Sequence, residues 1–204
     1  PDTTFIVDES FINFIEGARS LIKDRPSNVV VLFSLTKFYA IPGLRLGFAV
    51  ADRRIIEQLS KIMPPWTVNT IAQAVGAAAV KDADYALRSQ KLVSEERQWL
   101  QNELGNISGL KVYPGSVNFL LVKINRQDKS APQLAEKLLK DGIAIRVCDN
   151  FAGLNEQFFR VAVRTRDENI RLCAALAGSL GEAPRGIARR KAKCLMVQGT
   201  GSNA

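Results

Sequence analysis

Lys37 closes a Ser-Leu-Thr-Lys run that starts at Ser34, directly after the apolar segment NVVVLFS at 28–34. A lysine just past the end of a buried strand lies where open α/β sheets bind ligands. Partial burial there would make its amine a usable nucleophile toward a carbonyl. Ser34 and Thr36 add hydroxyls, and Arg45 follows after the Pro42-Gly43 turn. Hydroxyls with a planar, bidentate cation are what a phosphate monoester needs. One strand earlier, TTFIVD at 3–8 ends on Asp8, followed by Glu9; Asp8 would reach the same edge of the sheet. An amine for an aldehyde, a cup for a phosphate and a carboxylate for a ring nitrogen match the needs of pyridoxal phosphate. Spacing alone leaves two other readings open: a solvated lysine after a strand, and an arginine that serves a salt bridge.

These residues need strands to place them. TTFIVD and NVVVLFS read as buried strands, TKFYAIPG as a loop, and LRLGFAVA at 44–51 as a third strand. Residues 12–23 have a helical pattern broken by Pro26 and Ser27. Asp52 caps a helix that runs through about Ile62, with Ile55, Ile56, Leu59 and Ile62 on one face. Strands alternating with helices predict an α/β layer with a mostly parallel sheet. Val68 to about Leu104 is almost wholly helical, with a break near Lys81–Asp84 where Asp82 or Asp84 caps a second helix; Gly105 and Gly109 close it. The remainder reads as a smaller α+β unit: strands at 110–115 and 117–124, a helix at 131–141, strands at 142–147 and 158–164, and a last helix from about Asp167 to Leu180. The expected division is 1–80, 81–181, and a basic linker with the start of another domain at 182–204.

Composition narrows the chemistry. The chain has 204 residues, 47% hydrophobic, with no histidine and three cysteines, Cys148, Cys173 and Cys194, scattered along it. A zinc site is not expected, and Ser–His and Cys–His nucleophile pairs are excluded. No apolar run reaches the ~18 residues of a membrane span, and PDTTFIVDES has no signal-peptide character, so the expected location is cytoplasmic. The net charge is +8, and half of it falls after residue 181, where five basic residues face one acid. Such a tail reads as a solvated linker or as an attractor of nucleic acid or acidic membrane. The body has no interleaved basic and aromatic stripes, so neither a nucleic-acid nor a membrane partner is expected.

SLTKFYAIPGLRLGF at 34–48 resembles the lysine segment of fold-type I pyridoxal-phosphate enzymes in the class I/II aminotransferase family. DESFINF at 8–14 resembles the same family's pyridine-aspartate strand, and FFRVAVRT at 158–165 its carboxylate-binding arginine strand. VYPGSVNFLLV and GIAIRVCDN fit the segments between. Within the family the likeness is closest to the threonine-phosphate decarboxylases, with the histidinol-phosphate aminotransferases near. The resemblance implies a partial large domain with a smaller α+β domain. It makes Lys37 the covalent anchor of pyridoxal 5'-phosphate, Asp8 the partner of its ring nitrogen, and Ser34 and Arg45 the holders of its phosphate. It puts Arg160 on the substrate carboxylate and sets Asn118 and Arg146 in the substrate pocket. Phe11 stands where aminotransferase relatives commonly carry a tyrosine, which favours the decarboxylase branch.

The implied reaction is decarboxylation of L-threonine O-3-phosphate to (R)-1-amino-2-propanol O-2-phosphate in cobalamin biosynthesis. Transamination of the histidinol-phosphate type, and a non-catalytic fragment that keeps the fold, are the alternatives. The resemblance further implies a homodimer, a small phosphorylated amino acid as substrate, and a family N-terminal half, with its glycine-containing phosphate turn, preceding Pro1. A sheet starting at TTFIVD would then expose an edge. ARRKAKCLMVQGTGSNA at 188–204 resembles the opening of cobyric acid synthase, with GTGSNA as the beginning of a phosphate loop.

Overall fold

The computed structural model describes residues 3–181. The basic tail, its likeness to a phosphate loop and Cys194 lie outside the described residues. The chain divides into two compact units, the first ending at Leu92 and the second beginning at Val93.

The first unit is built on a three-stranded sheet, β1 (Phe5–Asp8), β2 (Val29–Ser34) and β3 (Gly47–Val50), in the order β1-β2-β3. β1 runs parallel to β2, pairing Asp8 with Leu32, and β3 runs antiparallel to it, pairing Ser34 with Gly47. The sheet is therefore mixed. The valine run Val29–Val31 is buried, as a central strand requires, whereas Phe5 and Ile6 on the outer strand β1 are exposed.

Between β2 and β3 the chain makes one turn of helix, α1 (Leu35–Phe38), and a 3-10 turn at Pro42–Leu44. Lys37 thus sits on a helix rather than in a loop. β3 is shorter than 44–51 because that 3-10 turn takes its first residue. Helix α2 (Arg53–Ile62) is capped by Asp52, which accepts from Arg54 N at 3.0 Å. Helix α3 (Thr70–Ala79) stops before the expected break, and α4 (Ala83–Gly105) starts within it, with Asp82 accepting from Tyr85 N at 2.8 Å. Residues 12–23 do not form the expected helix. A 3-10 turn at Ile12–Phe14 ends at once, Gly17 takes φ +71°, and buried Glu9 draws Ser20 and Leu21 back toward the strand.

The second unit has a four-stranded antiparallel sheet, β4 (Leu110–Val112), β5 (Phe119–Ile124), β6 (Arg146–Val147) and β7 (Phe158–Ala162), in the order β4-β5-β7-β6. Helices α5 (Ala131–Lys140) and α6 (Arg166–Ser179) complete it, each opened by a capping box: Ser130 with Gln133, and Thr165 with Glu168. One apolar cluster fills this unit, including Leu100 and Leu104 from α4, Leu120, Val122 and Ile124 from β5, Phe159 and Val161 from β7, and Leu176 from α6. β6 is only two residues long, where a strand over 142–147 was expected. Gly142, at φ +69°, still belongs to the turn that ends α5.

Candidate functional site

Asp8 and Lys37 lie at the same end of the first sheet because β1 and β2 run parallel and α1 starts where β2 stops. Ser10 holds the Asp8 carboxylate below its ordinary range through its side chain and its backbone N–H (2.9 Å), and the Lys37 charge adds to the effect. Lys37 is exposed, not partly buried as expected; its ammonium lies 5.5 Å from the centre of the Phe11 ring.

Ser34 Oγ and Thr36 Oγ1 are 2.9 Å apart, so the two hydroxyls form a single polar pair at the start of α1. Arg45 is brought alongside by the backbone. Leu35 N donates to Leu46 O at 3.2 Å, and Ser34 pairs with Gly47 in the ladder. The loop between them is strained: Ala40 and Arg45 both take the left-handed conformation, at φ +52° and +51°, which non-glycine residues seldom adopt. Such strain persists where surrounding structure enforces it, and it clusters at functional sites. Gly76 of α3 provides part of that enforcement, since Leu46 packs where a Cβ on it would stand.

A second constellation belongs to the second unit. Arg146 on β6 and Arg160 on β7 are direct cross-strand partners. Phe159 and Val161 face the core, so strand alternation turns Arg160 away from it. Its guanidinium lies 4.3 Å from the centre of the Phe119 ring, and Arg146 donates to Asn150 Oδ1 at 3.0 Å. Among the described residues neither arginine has a carboxylate partner. Like charges directly opposite one another destabilise a ladder, and an anion between them reverses the sign. Asn118 precedes β5; its carbonyl accepts from Val163 N at 2.9 Å, and its side-chain Oδ1 is buried with no partner.

Asp8, Ser34, Lys37 and Arg45 are thus grouped in one unit, and Arg146 and Arg160 in the other. Three features had no local sequence signal: the inward turn of Glu9, the left-handed residues flanking the lysine turn, and a contact from Tyr85, whose hydroxyl donates to Phe38 O at 3.2 Å across 47 positions.

The family model for aminotransferase class I and II matches residues 2–176. The chain is 37% identical over 203 residues to the adenosylcobalamin biosynthesis bifunctional protein CobDQ of Leptospira interrogans, which covers 99% of this chain and 24% of that protein. It is 40% identical over 184 residues to threonine-phosphate decarboxylase of Salmonella typhimurium, covering 88% of this chain and 50% of that one. Among solved structures, L-threonine-O-3-phosphate decarboxylase from Porphyromonas gingivalis aligns with a TM-score of 0.81 at 27% identity, over 89% of this chain and 56% of that one. Histidinol-phosphate aminotransferase from Sinorhizobium meliloti, solved in complex with pyridoxal-5'-phosphate, aligns with a TM-score of 0.77 at 25% identity, over 86% and 48%. The chain therefore spans about half the length of the decarboxylase and a quarter of the bifunctional protein.

Proposed function

Because the chain belongs to the aminotransferase class I and II family, we propose that its lysine turn holds pyridoxal 5'-phosphate and that it serves decarboxylation of L-threonine O-3-phosphate. The donor set in the first unit fits the cofactor. Lys37 offers an accessible amine for the aldehyde, Asp8 an ionised carboxylate for the ring N–H, and the Ser34–Thr36 hydroxyl pair with Arg45 the donors for the phosphate.

The observation that carries the choice of substrate is the Arg146–Arg160 cross-strand pair without a carboxylate partner. Two guanidiniums suit a ligand with two anionic groups, and a phosphorylated amino acid has a carboxylate and a phosphate. Arg160, inside the five-residue strand β7, takes the carboxylate; Arg146 and Asn118, with its unpaired Oδ1, take the remaining polar groups. Pyridoxal phosphate, when bound, would supply an electron sink for the pair released from a Cα bond. Asp8 would hold a proton on the ring nitrogen and so strengthen that sink, and Lys37 would serve as the general acid that returns a proton to Cα. Phe11, without a hydroxyl beside Lys37, fits the decarboxylase branch. The likeness to the bifunctional cobalamin-pathway protein supports the same assignment, with product (R)-1-amino-2-propanol O-2-phosphate.

The test is to add pyridoxal phosphate and L-threonine O-3-phosphate to this chain and to any longer protein that contains it. A visible absorption band that is lost in Lys37→Ala, together with released CO2, is the expected result. Amino transfer without CO2 would give the reaction to the histidinol-phosphate aminotransferase type. No band at all would make this chain a non-catalytic bearer of the fold. A family homodimer and a cytoplasmic location belong to the same reading; among the described residues no helix is long and apolar enough to cross a membrane.

A further inference from the structure

The turn that carries Lys37 is a single turn of helix, too short to be stable by itself. Its stability must come from what its four carbonyls and its side chains meet. Three carbonyls are satisfied by the chain that follows: Leu35 O accepts from Tyr39 N (3.2 Å), Thr36 O from Ile41 N (3.1 Å) and Lys37 O from Ala40 N (3.4 Å). The fourth, Phe38 O, accepts from the hydroxyl of Tyr85 on α4.

The Tyr85 ring reinforces that bond. It lies edge-on to Phe38, with centroids 6.3 Å apart, and stacks on Tyr39 at 5.8 Å and 24°. Phe38 in turn meets Phe14 edge to face at 5.1 Å. Tyr85 is itself fixed, because its backbone N–H donates to the helix cap Asp82. Two residues beyond the contact, Ala40 takes the strained left-handed conformation.

We infer that Tyr85 is the positioning residue of the lysine turn: its hydroxyl on the Phe38 carbonyl, with its ring against Phe38 and Tyr39, holds α1 so that the Lys37 amine stays beside Asp8. Tyr85 is not a catalytic residue, because it acts through the backbone of α1. The inference rests on the assignment of Lys37 as the cofactor lysine.

The experiment compares wild type with Tyr85→Phe, which keeps the ring and removes the hydroxyl. The first measurement is amide hydrogen exchange without cofactor. Tyr39, Ala40 and Ile41 exchange about fivefold faster in the variant, the loss expected for one net hydrogen bond, while amides of β5 in the second unit keep their rates. The second measurement is the dissociation constant for pyridoxal phosphate, read from the visible band, which rises about fivefold. Unchanged exchange at all three amides overturns the inference, as does an equal acceleration throughout the first unit, which would mark general destabilisation. A wild-type chain that forms no band removes the cofactor assignment instead, and the exchange result still decides whether Tyr85 holds the turn. If Tyr85→Phe leaves the exchange rates alone but Tyr85→Leu raises them, ring packing does the holding and the role of the hydroxyl is overturned.

Discussion

Asp8 and Glu9 are consecutive carboxylates, and strand alternation sends them to opposite surroundings. Asp8 is exposed beside Lys37, while Glu9 is buried and accepts from Ser20 Oγ at 2.6 Å and Leu21 N at 2.9 Å. Replacing them should separate stability from binding. Glu9→Ala leaves two donors without a partner, costs about 1–3 kcal/mol and lowers the thermal midpoint. Asp8→Asn changes stability by less than ~0.5 kcal/mol, as surface substitutions do, but weakens pyridoxal phosphate binding in an absorbance titration. Arg160→Lys removes the planar fork and should raise KM for threonine phosphate about tenfold with a smaller effect on kcat. A further residue-scale prediction concerns pH. Arg164, first, and then Thr165 hold Glu168 down to about 2, from an ordinary value of 4.5. A depressed carboxylate stabilises the fold fully above its unfolded value, and that contribution is lost as pH falls through the folded one. The Glu168 cap of α6 should therefore weaken between pH 4.5 and about 2, seen as loss of helical circular dichroism that Glu168→Gln does not show.

At the scale of elements, β2 and β3 set the lysine turn, and Gly47 sets how closely they approach. A Cβ there would stand 2.7 Å from Phe33 O, a backbone atom that cannot swing aside. Gly47→Ala should cost about 1–3 kcal/mol and loosen the Arg45 loop, measured as a lower thermal midpoint with weaker cofactor binding. This scale also marks what could be read in advance. Apolar runs and turn residues located most strands, and Asp52 announced the start of α2. The lysine at the strand end and the arginine after Pro-Gly were legible as types in a pattern. The false helix at 12–23 was not avoidable from periodicity, because what dissolves it is a buried carboxylate reaching across 11 and 12 residues. Tyr85 was hidden for the same reason. A contact over 47 positions leaves no spacing to recognise, and left-handed Ala40 and Arg45 are not glycines that would have flagged the turn.

For the whole molecule, the two units differ in how well they bury themselves. The apolar cluster of the second is continuous across β5, β7, α4, α5 and α6. In the first, Phe5, Ile6, Phe48, Ile62, Trp66 and Ile71 are all exposed. Exchange rates follow buried contact, so the slowest amides should be those of Leu120–Ile124 and Phe159–Val161, with the first unit's sheet faster throughout. Thiol chemistry gives an independent check. Burial pushes Cys173 up to about 12, with Glu103 adding to it, and Cys148 is buried. In the folded chain neither should react with a thiol reagent at neutral pH, and peptide mapping should show both becoming labelled only as the second unit unfolds.

The alternation along β7 has an evolutionary consequence. Phe159 and Val161 belong to folding, and Arg160 between them does not. Mutation at one parity of the strand is answerable first to stability, and at the other, on the proposed assignment, to the ligand. On that assignment a lineage can exchange its substrate through Arg160 and Arg146 while Phe159 and Val161 keep the scaffold, so that new specificities arise on one backbone with few intermediates lost to misfolding.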